Sequence, residues 1–246
     1  MTPLGLLNAI EKRARLRIGV LALIASLVIT WELTRGTATL NSIASALPPA
    51  DAHFAYYADD DKEISYFNTR LEAVFIGDSI TQRWQAHGAS SWDDHWLNRG
   101  IGGERSDQVR ARFAQDAVNL HPQTVVILVG TNDAWVNRPD LPLSATERNI
   151  GDMETQARRE GIHVVLASVP PIGPRVTAPG LPMPPHVNTR IEAQNAWERD
   201  YAARNGDGFA DYWGVMRPEL TIDGVHPSAA GYAAMAPVAA AAITAR

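Results

Sequence analysis

The chain has 246 residues, enough for one domain with a single core and an extension, and its 46% hydrophobic and 20% charged residues are typical of a globular protein. Its formal net charge of -5 gives no indication of a nucleic-acid-binding surface. Because the chain has no cysteine, a thiol nucleophile, disulfides and thiolate metal sites are excluded, and no histidine–carboxylate motif predicts a metal or other cofactor.

The N-terminal segment predicts export and a membrane anchor. Residues 18–30 form an uncharged apolar run, and four basic residues precede it between positions 12 and 17. Such a basic flank is expected to stay in the cytoplasm while the following chain is exported. The small residues at 44–46 lie farther from the apolar run than cleavage sites usually do. We therefore interpret residues 1–33 as a cytoplasmic basic segment followed by an uncleaved signal-anchor helix.

This interpretation predicts a single-pass protein of a bacterial-type inner membrane, with its enzyme domain on the periplasmic side. Two alternatives stay open: cleavage of the segment would give a secreted or periplasmic protein, and the apolar run could instead be a buried core helix. Residues 34–70 are interpreted as a linker and N-terminal extension, and residues 71–246 as the main domain.

From residue 71 onward, short apolar runs alternate with longer stretches of helical pattern. The runs that favour strands lie at 73–79, 96–103, 124–133, 163–171 and 208–213. Helices are expected around 109–118 and at 144–160, 188–204 and 227–244, with Ser144 as the N-cap of the second. This alternation without hairpin signals predicts an α/β fold with a parallel sheet covered by helices on both faces.

Polar motifs follow three of the predicted strands. They are 77–79 (Gly-Asp-Ser), 102–103 (Gly-Gly) and 130–133 (Gly-Thr-Asn-Asp), and a fourth motif at 223–226 (Asp-Gly-Val-His) precedes the last helix. In a parallel α/β sheet the functional crevice lies beyond the carboxyl ends of the strands. We therefore expect these motifs to meet at one edge of the sheet.

The strings FIGDSIT, NRGIGGERS, VGTND and DGVHPSAAGY resemble the SGNH/GDSL hydrolase superfamily, in particular its acylhydrolase and acetylesterase branches. The resemblance runs from about residue 74 to the C-terminus, and it implies a three-layer, flavodoxin-like fold. The family's diagnostic residues map onto Ser79, Gly103, Asn132 and His226, with Asp223 as the acid of the triad. Any one of these motifs alone is weak, whereas four in this order are specific.

The residues themselves suit that chemistry. A serine hydroxyl is a poor nucleophile until a base removes its proton. His226 would be that base for Ser79, and Asp223, three residues earlier, would accept the Nδ1 proton and orient the ring.

The oxyanion of the tetrahedral intermediate would be bound by the backbone N–H groups of Ser79 and Gly103 and by the amide of Asn132. We expect Gly77 to permit a tight turn before the serine, and Gly103 to be glycine because a side chain there would crowd the substrate. Asp78 and Asp133 are assigned supporting roles, hydrogen bonding to the backbone rather than proton transfer.

Four tryptophans lie close to these motifs in sequence: Trp84, Trp92, Trp96 and Trp135. We expect Trp92 and Trp96 to pack in the core or the pocket wall. Trp84 and Trp135 are left open between packing and stacking against a sugar ring.

The predicted function is a serine esterase that removes short acyl groups, such as acetyl, from a saccharide or similar exported substrate. A lysophospholipase-like or thioesterase-like activity on longer chains is one alternative, and acyl transfer to a sugar hydroxyl is another. The loop at 170–185, rich in Pro and Gly and with Arg175, favours short acyl groups. A catalytically inactive, tethered binding module is disfavoured because the full residue set is present. The sequence leaves the oligomeric state open.

Overall fold

The computed structural model of the chain describes residues 53–67, 71–135, 142–173 and 186–245. The predicted signal-anchor helix, most of the predicted linker and residues 174–185 of the Pro-rich loop lie outside the described residues. Within those ranges, no helix is both long enough and apolar enough to cross a membrane.

Five parallel strands form the central sheet. They are β1 (Ala73–Gly77), β2 (Trp96–Gly100), β3 (Thr124–Leu128), β4 (His163–Ala167) and β5 (Gly208–Ala210). Their spatial order is β2-β1-β3-β4-β5, the order of doubly wound sheets of the flavodoxin type. Every residue of β1 and β3 is buried, which explains their continuous apolar sequences. The prediction of a parallel sheet is confirmed, although the strands end before the polar motifs that had been included in them.

Nine α-helices are described. They are α1 (Ala58–Phe67), α2 (Ser79–Gln82), α3 (Trp84–His87), α4 (Ser106–Asp116), α5 (Thr131–Trp135), α6 (Leu143–Arg159), α7 (Val187–Asn205), α8 (Tyr212–Val215) and α9 (Ala229–Thr244). Short 3-10 helices occupy Ala89–Ser91, Val118–Leu120 and Pro218–Leu220. The prediction that Ser144 caps α6 is wrong: Pro142 is the N-cap residue and makes no side-chain cap hydrogen bond, which leaves Ser144 inside the first turn.

The sheet separates two apolar clusters, because successive side chains of a strand point to opposite faces. On one face Phe75 packs in a cluster with Tyr232 from α9. On the other, Ile76 packs in a cluster with Phe113 from α4 and Ile150 from α6. The domain therefore has three layers, with the sheet in the middle and helices on both of its faces.

A fully buried arginine joins α4 to the ends of two strands. The Arg112 guanidinium donates from Nε to Glu104 Oε2 at 2.8 Å and from Nη1 to Asp116 Oδ2 at 2.8 Å. Its Nη2 donates to the backbone oxygens of Gly77 at 3.2 Å and Arg99 at 2.9 Å. Burial raises the pKa of Asp116 to about 6, although hydrogen bonding and charge from Arg112 act in the opposite direction.

Part of the predicted N-terminal extension packs against β2. The Asp61 carboxylate of α1 accepts hydrogen bonds from Arg99 Nε at 2.9 Å and Nη2 at 2.6 Å. The same guanidinium lies 4.5 Å from the centre of the Tyr57 ring, a cation–π contact. Helix α1 is thus held to the edge of the sheet by buried polar contacts. The domain boundary at residue 71 stays a prediction.

Replacing Arg112 is expected to destabilise the fold. Arg112→Met leaves the buried carboxylates of Glu104 and Asp116 without their cation, which should cost about 3–5 kcal/mol in the free energy of unfolding. Urea denaturation followed by circular dichroism measures this loss.

The matched control is Arg148→Met, because Arg148 is exposed on α6 and has no recorded partner among the described residues. We expect that change to stay within about 0.5 kcal/mol. Equal stabilities of the two variants would contradict the role given to Arg112.

Candidate active site

Ser79 is the first residue of α2, directly after β1. Asp78 is the N-cap of that helix, and its Oδ1 accepts the backbone N–H of Ile80 at 2.9 Å. A Cβ on Gly77 would lie 2.1 Å from the backbone oxygen of Leu128, and Gly77 has no positive φ. Glycine is therefore needed at this position because β3 approaches closely, a reason that the sequence did not reveal.

Ser79, His226 and Asp223 form a continuous line of hydrogen bonds. The distance from His226 Nε2 to Ser79 Oγ is 2.9 Å, and the distance from His226 Nδ1 to Asp223 Oδ2 is 2.7 Å. An ionised carboxylate only accepts hydrogen bonds, so Nδ1 carries the proton and Nε2 is free to accept from the serine hydroxyl. This arrangement can remove a proton from Ser79.

The turn that carries Asp223 and His226 is fixed by hydrogen bonds between the Asp223 side chain and the backbone. Asp223 Oδ1 accepts the N–H groups of Val225 at 3.0 Å and His226 at 2.8 Å. Gly224 has a φ of +89°, which favours glycine, and its backbone oxygen accepts the N–H of Gly173 at 2.7 Å. Partial burial raises the pKa of Asp223, but the hydrogen bonds from His226 and Val225 outweigh it and hold the pKa below its ordinary value.

A cavity of about 370 Å³ lies over the serine. Four of the predicted site residues line it: Ser79, Gly103, Asn132 and His226. Ser79 and Asn132 lie in the short helices after β1 and β3, Gly103 in the turn after β2, and His226 in the turn before α9. The cavity thus lies beside the point where the strand order changes direction, between β1 and β3.

Gly103 and Asn132 reach the cavity in different ways. Gly103 has a φ of +83°, and a Cβ on it would have no heavy atom within 4 Å. The positive φ alone favours glycine at this position. The expectation that a side chain there would crowd the substrate stays a prediction. Asn132 Nδ2 donates to the backbone oxygen of Glu104 at 2.8 Å and lies 3.5 Å from Asp78 Oδ2, the limit of a hydrogen bond.

Asp78 lies beneath the serine and is completely buried. Burial raises its pKa to about 7, while the hydrogen bond from the Ile80 N–H and the nearby Thr131 hydroxyl act to lower it. The nearby carboxylates of Asp133 and Glu104 raise it further. Its contacts are those of a residue that fixes the turn.

Asp133 ties three helices together. Its carboxylate accepts from the backbone N–H of Ser106 at 2.9 Å, from the Ser106 hydroxyl at 2.5 Å and from the Thr146 hydroxyl at 3.2 Å. The Ser106 hydroxyl in turn accepts from Asn149 Nδ2 at 2.9 Å. Because Asp133 follows Asn132 directly, this network fixes the backbone that carries the Asn132 amide.

A buried carboxylate next to the site was not predicted from the sequence. Glu104 follows Gly103 and is completely buried. Its side chain is paired with Arg112 and lies 3.0 Å from His53 Nδ1, and its backbone oxygen accepts from Asn132. Nothing in the local sequence marks Glu104 as buried, because its cation comes from the following helix.

Gln194 and Glu198 of α7 were also missed. Gln194 Nε2 donates to the Val129 backbone oxygen at 2.7 Å and to Glu198 Oε1 at 2.9 Å. Gly130 has a φ of +123°, and a Cβ on it would lie 2.2 Å from Gln194 Oε1. Burial raises the pKa of Glu198 to about 8, with the Gln194 hydrogen bond acting in the opposite direction. This pair supports the turn between β3 and Asn132 from below.

The N-terminal extension contacts the loop after β2. Tyr57 donates its hydroxyl to the Gly100 backbone oxygen at 2.6 Å. Gln82 accepts the Gly102 N–H at 3.0 Å through Oε1, and its Nε2 donates to the Tyr56 hydroxyl at 3.1 Å. The loop that leads to Gly103 is therefore held from both sides.

The four tryptophans differ in position. Trp84 is completely buried and contacts Phe75 and Tyr232, so it is a core residue. Trp96 is buried, and Trp92 is half-buried and packed against the same core cluster, as expected for both. Trp135 is half-buried and lines the cavity. Of the two left open, Trp135 is the one placed to contact a substrate.

Solved structures share this fold. An acylhydrolase candidate from Bacteroides fragilis superposes with a TM-score of 0.70 and 30% identity, covering 79% of this chain and 97% of that one. A GDSL-like lipase from Bacteroides thetaiotaomicron gives a TM-score of 0.68 and 30% identity, covering 78% and 98%. The acetylxylan esterase Axe2 of Geobacillus stearothermophilus, at 0.55 and 20% identity over 70% and 93%, is similar in fold alone.

Sequence comparison gives two further findings. An uncharacterized lipoprotein of Bacillus subtilis, YqeF, is 33% identical over 79 residues, which are 31% of this chain and only 32% of that protein. The model of the GDSL-like lipase/acylhydrolase family matches residues 75–234, about two thirds of the chain. That match includes the motifs that carry Ser79, Gly103, Asn132 and His226, and the family predicted from the sequence is confirmed. The chain belongs to the GDSL-like lipase/acylhydrolase family, whose members are hydrolases of carboxylic esters.

Proposed function

We propose that the protein is a serine esterase in which Ser79 is the nucleophile, His226 the general base and Asp223 the residue that orients the base. The observation that carries this proposal is the hydrogen-bonded line Ser79 Oγ–His226–Asp223, at 2.9 and 2.7 Å, whose first two members line a cavity. Family membership supports the same chemistry.

In the acylation step, His226 Nε2 takes the proton of Ser79 as Oγ attacks the ester carbonyl. The protonated His226 then gives that proton to the alcohol that leaves. Water attacks the acyl-enzyme in the second step, with His226 again acting first as base and then as acid, and the carboxylate product departs. Asp223 stays ionised throughout, in keeping with its lowered pKa.

The oxyanion that forms in both steps would accept from the backbone N–H groups of Ser79 and Gly103 and from Asn132. Each such donor lowers the barrier by about 3 kcal/mol when it is positioned in advance. The positive φ of Gly103 and the hydrogen bond from Asn132 to Glu104 support positions of this kind. Asn132 Nδ2 has two hydrogens, and because its contact with Asp78 Oδ2 is long, at 3.5 Å, a small rotation of the side chain would make one of them available to the oxyanion.

The acyl group is proposed to be short, such as acetyl, and the alcohol part to be a saccharide or a similar exported molecule. A cavity of about 370 Å³ is at the small end of the range for ligand pockets, and Trp135 offers an aromatic face at its wall. Axe2, which has the same fold, is an acetylxylan esterase. Longer acyl chains, as in lysophospholipids or thioesters, and transfer of the acyl group to a sugar hydroxyl are the competing activities.

The first prediction concerns acyl-chain length. Using the chain from Pro49 onward, hydrolysis of p-nitrophenyl esters should be fastest with acetyl and decline toward dodecanoyl. Ser79→Ala should reduce kcat by several orders of magnitude, because the nucleophile is removed. The control, Ser90→Ala, changes an exposed serine outside the cavity and should keep normal activity.

Each other outcome has a definite meaning. A maximum at long chains would favour the lipid or thioester substrate. Near-normal activity of Ser79→Ala would contradict the proposed nucleophile. If no ester is hydrolysed, acyl transfer would be favoured over hydrolysis, and transfer of the acyl group to a sugar hydroxyl would be assayed next.

The second prediction separates the base from the residue that orients it. His226→Ala removes the base, with an expected loss in kcat of roughly 10⁶-fold, whereas Asp223→Asn keeps the base and should lose roughly 10⁴-fold. Single-turnover kinetics with p-nitrophenyl acetate would measure both losses. A greater loss for Asp223→Asn would contradict the assigned roles.

We further propose that the enzyme domain lies outside the cytoplasm, with the N-terminal segment as an uncleaved anchor in the cytoplasmic membrane. The support is the apolar run at 18–30 with its basic flank. A relative over 79 residues, YqeF, is a lipoprotein. Cleavage of the segment, which would release the domain, is the competing interpretation.

Cell fractionation tests the anchor. The full-length chain should be found in the membrane fraction, resist extraction by high salt and be digested by protease added to spheroplasts. A version that lacks residues 1–33 should leave the membrane fraction. Finding only a shortened, soluble form of the natural chain would show that the segment is cleaved.

A further inference from the structure

Arg83 is the one arginine among the residues that line the active-site cavity. It lies between α2 and α3, four residues after Ser79, and it is only partly exposed. Its guanidinium makes no recorded hydrogen bond or ion pair with any described residue. A guanidinium has five N–H donors, so a partly buried one without partners has donors free for a ligand.

The other arginines of the described part differ from Arg83. The buried guanidinium groups of Arg99 and Arg112 each bind a carboxylate. The described arginines that share the lack of a recorded partner are exposed on helix surfaces, where water solvates them; they are Arg148, Arg159 and Arg204. Arg83 therefore combines partial burial with the absence of a partner, and it does so inside a concave site.

The charge of Arg83 is not neutralised within the cavity. The other described residues that line it are uncharged, apart from His226 when it is protonated. The Asp223 carboxylate is occupied by hydrogen bonds from His226 and Val225, and Asp78 is completely buried. The protein has a net charge of -5, so the positive charge of Arg83 in this cleft is opposite in sign to that of the protein as a whole. Such a charge raises the local concentration of anionic ligands.

We propose that Arg83 binds an anionic group, a carboxylate or a phosphate, on the alcohol part of the substrate, so that the enzyme prefers acyl esters of anionic saccharides. This rests on the proposed function, because it concerns the substrate of the same site. The planar guanidinium matches both anions through paired N–H···O bonds. The neutral lining around Ser79 then receives the small acyl group, and Arg83 selects the charged ring.

Three substrates with one acetyl group each and the same ring test this inference. They are mono-O-acetylated methyl glucoside, the corresponding methyl glucuronoside and the corresponding methyl glucoside 6-phosphate, with released acetate as the measurement. In the unaltered protein, kcat/KM should be at least about tenfold higher for one anionic substrate than for the neutral one. Which of the two is preferred distinguishes a carboxylate from a phosphate.

The variants isolate Arg83. In Arg83→Gln the ratio of kcat/KM for the anionic over the neutral substrate should fall about tenfold, mostly through KM. Arg83→Lys should keep part of the ratio, because it keeps the charge without the planar fork. Arg148→Gln, which removes an exposed arginine far from the motifs in sequence, should leave the ratio unchanged. The preference should also weaken as salt concentration rises.

The outcomes separate this inference from the proposed function. Hydrolysis of p-nitrophenyl acetate with no anionic preference, or with the same ratio in Arg83→Gln as in Arg148→Gln, would overturn the role of Arg83 and leave the esterase standing. Failure to hydrolyse any of the four esters would overturn both. A circular dichroism spectrum equal to that of the unaltered chain confirms that each variant is folded. If Arg83→Gln does not fold, Arg83→Lys takes its place in the comparison with Arg148→Gln.

Discussion

The buried guanidinium of Arg112 is the contact on which the geometry of the sheet edge depends. A buried charge costs several kcal/mol unless it is paired and its hydrogen bonds are satisfied. Arg112 meets that condition with two carboxylates, Glu104 and Asp116, and two backbone oxygens, at the ends of β1 and β2. Lysine has no planar fork, so it could not reach all four acceptors at once.

The constraint extends from Arg112 to the candidate site through short covalent links. Gly77, whose oxygen Arg112 binds, lies two residues before Ser79. Glu104, whose carboxylate Arg112 binds, follows Gly103 and accepts the Asn132 hydrogen bond on its backbone oxygen. A catalytic group must be held within about 0.5 Å of its productive position. The segments after three separate strands can meet that tolerance here, because the Arg112 guanidinium and the Asn132 amide connect them.

The parts of this site that were predictable are those encoded in short stretches of sequence. The strand-like runs before Ser79 and Asn132 indicated a common edge, and the three-residue spacing from Asp223 to His226 suited a hydrogen-bonded pair. Roles that depend on distant partners were not predictable in this way. Glu104 and Gln194 look like ordinary surface residues until folding brings Arg112 and Gly130 against them.

The errors have local physical causes. Ser144 has the chemistry of an N-cap, but Pro142 two residues earlier has a φ of -65° and an extended ψ, so the helix begins directly after it. Gly77 ends β1 and Gly103 lies in a turn, and the first is required by a neighbouring strand whereas the second is favoured by its positive φ. Sequence alone does not distinguish a steric requirement from a conformational one, because both select the same residue.

The N-terminal extension also stabilises the edge of the sheet next to the candidate site. Without α1 and the residue before it, the Arg99 guanidinium at the edge of the sheet would lose the Asp61 carboxylate, and Gly100 would lose the Tyr57 hydroxyl. Both contacts flank the loop that leads to Gly103. Residues before position 71 therefore contribute contacts to the same edge of the sheet as the candidate site. The functional unit, by this argument, begins before Tyr57 and includes more than the stretch from residue 71 that the motifs define.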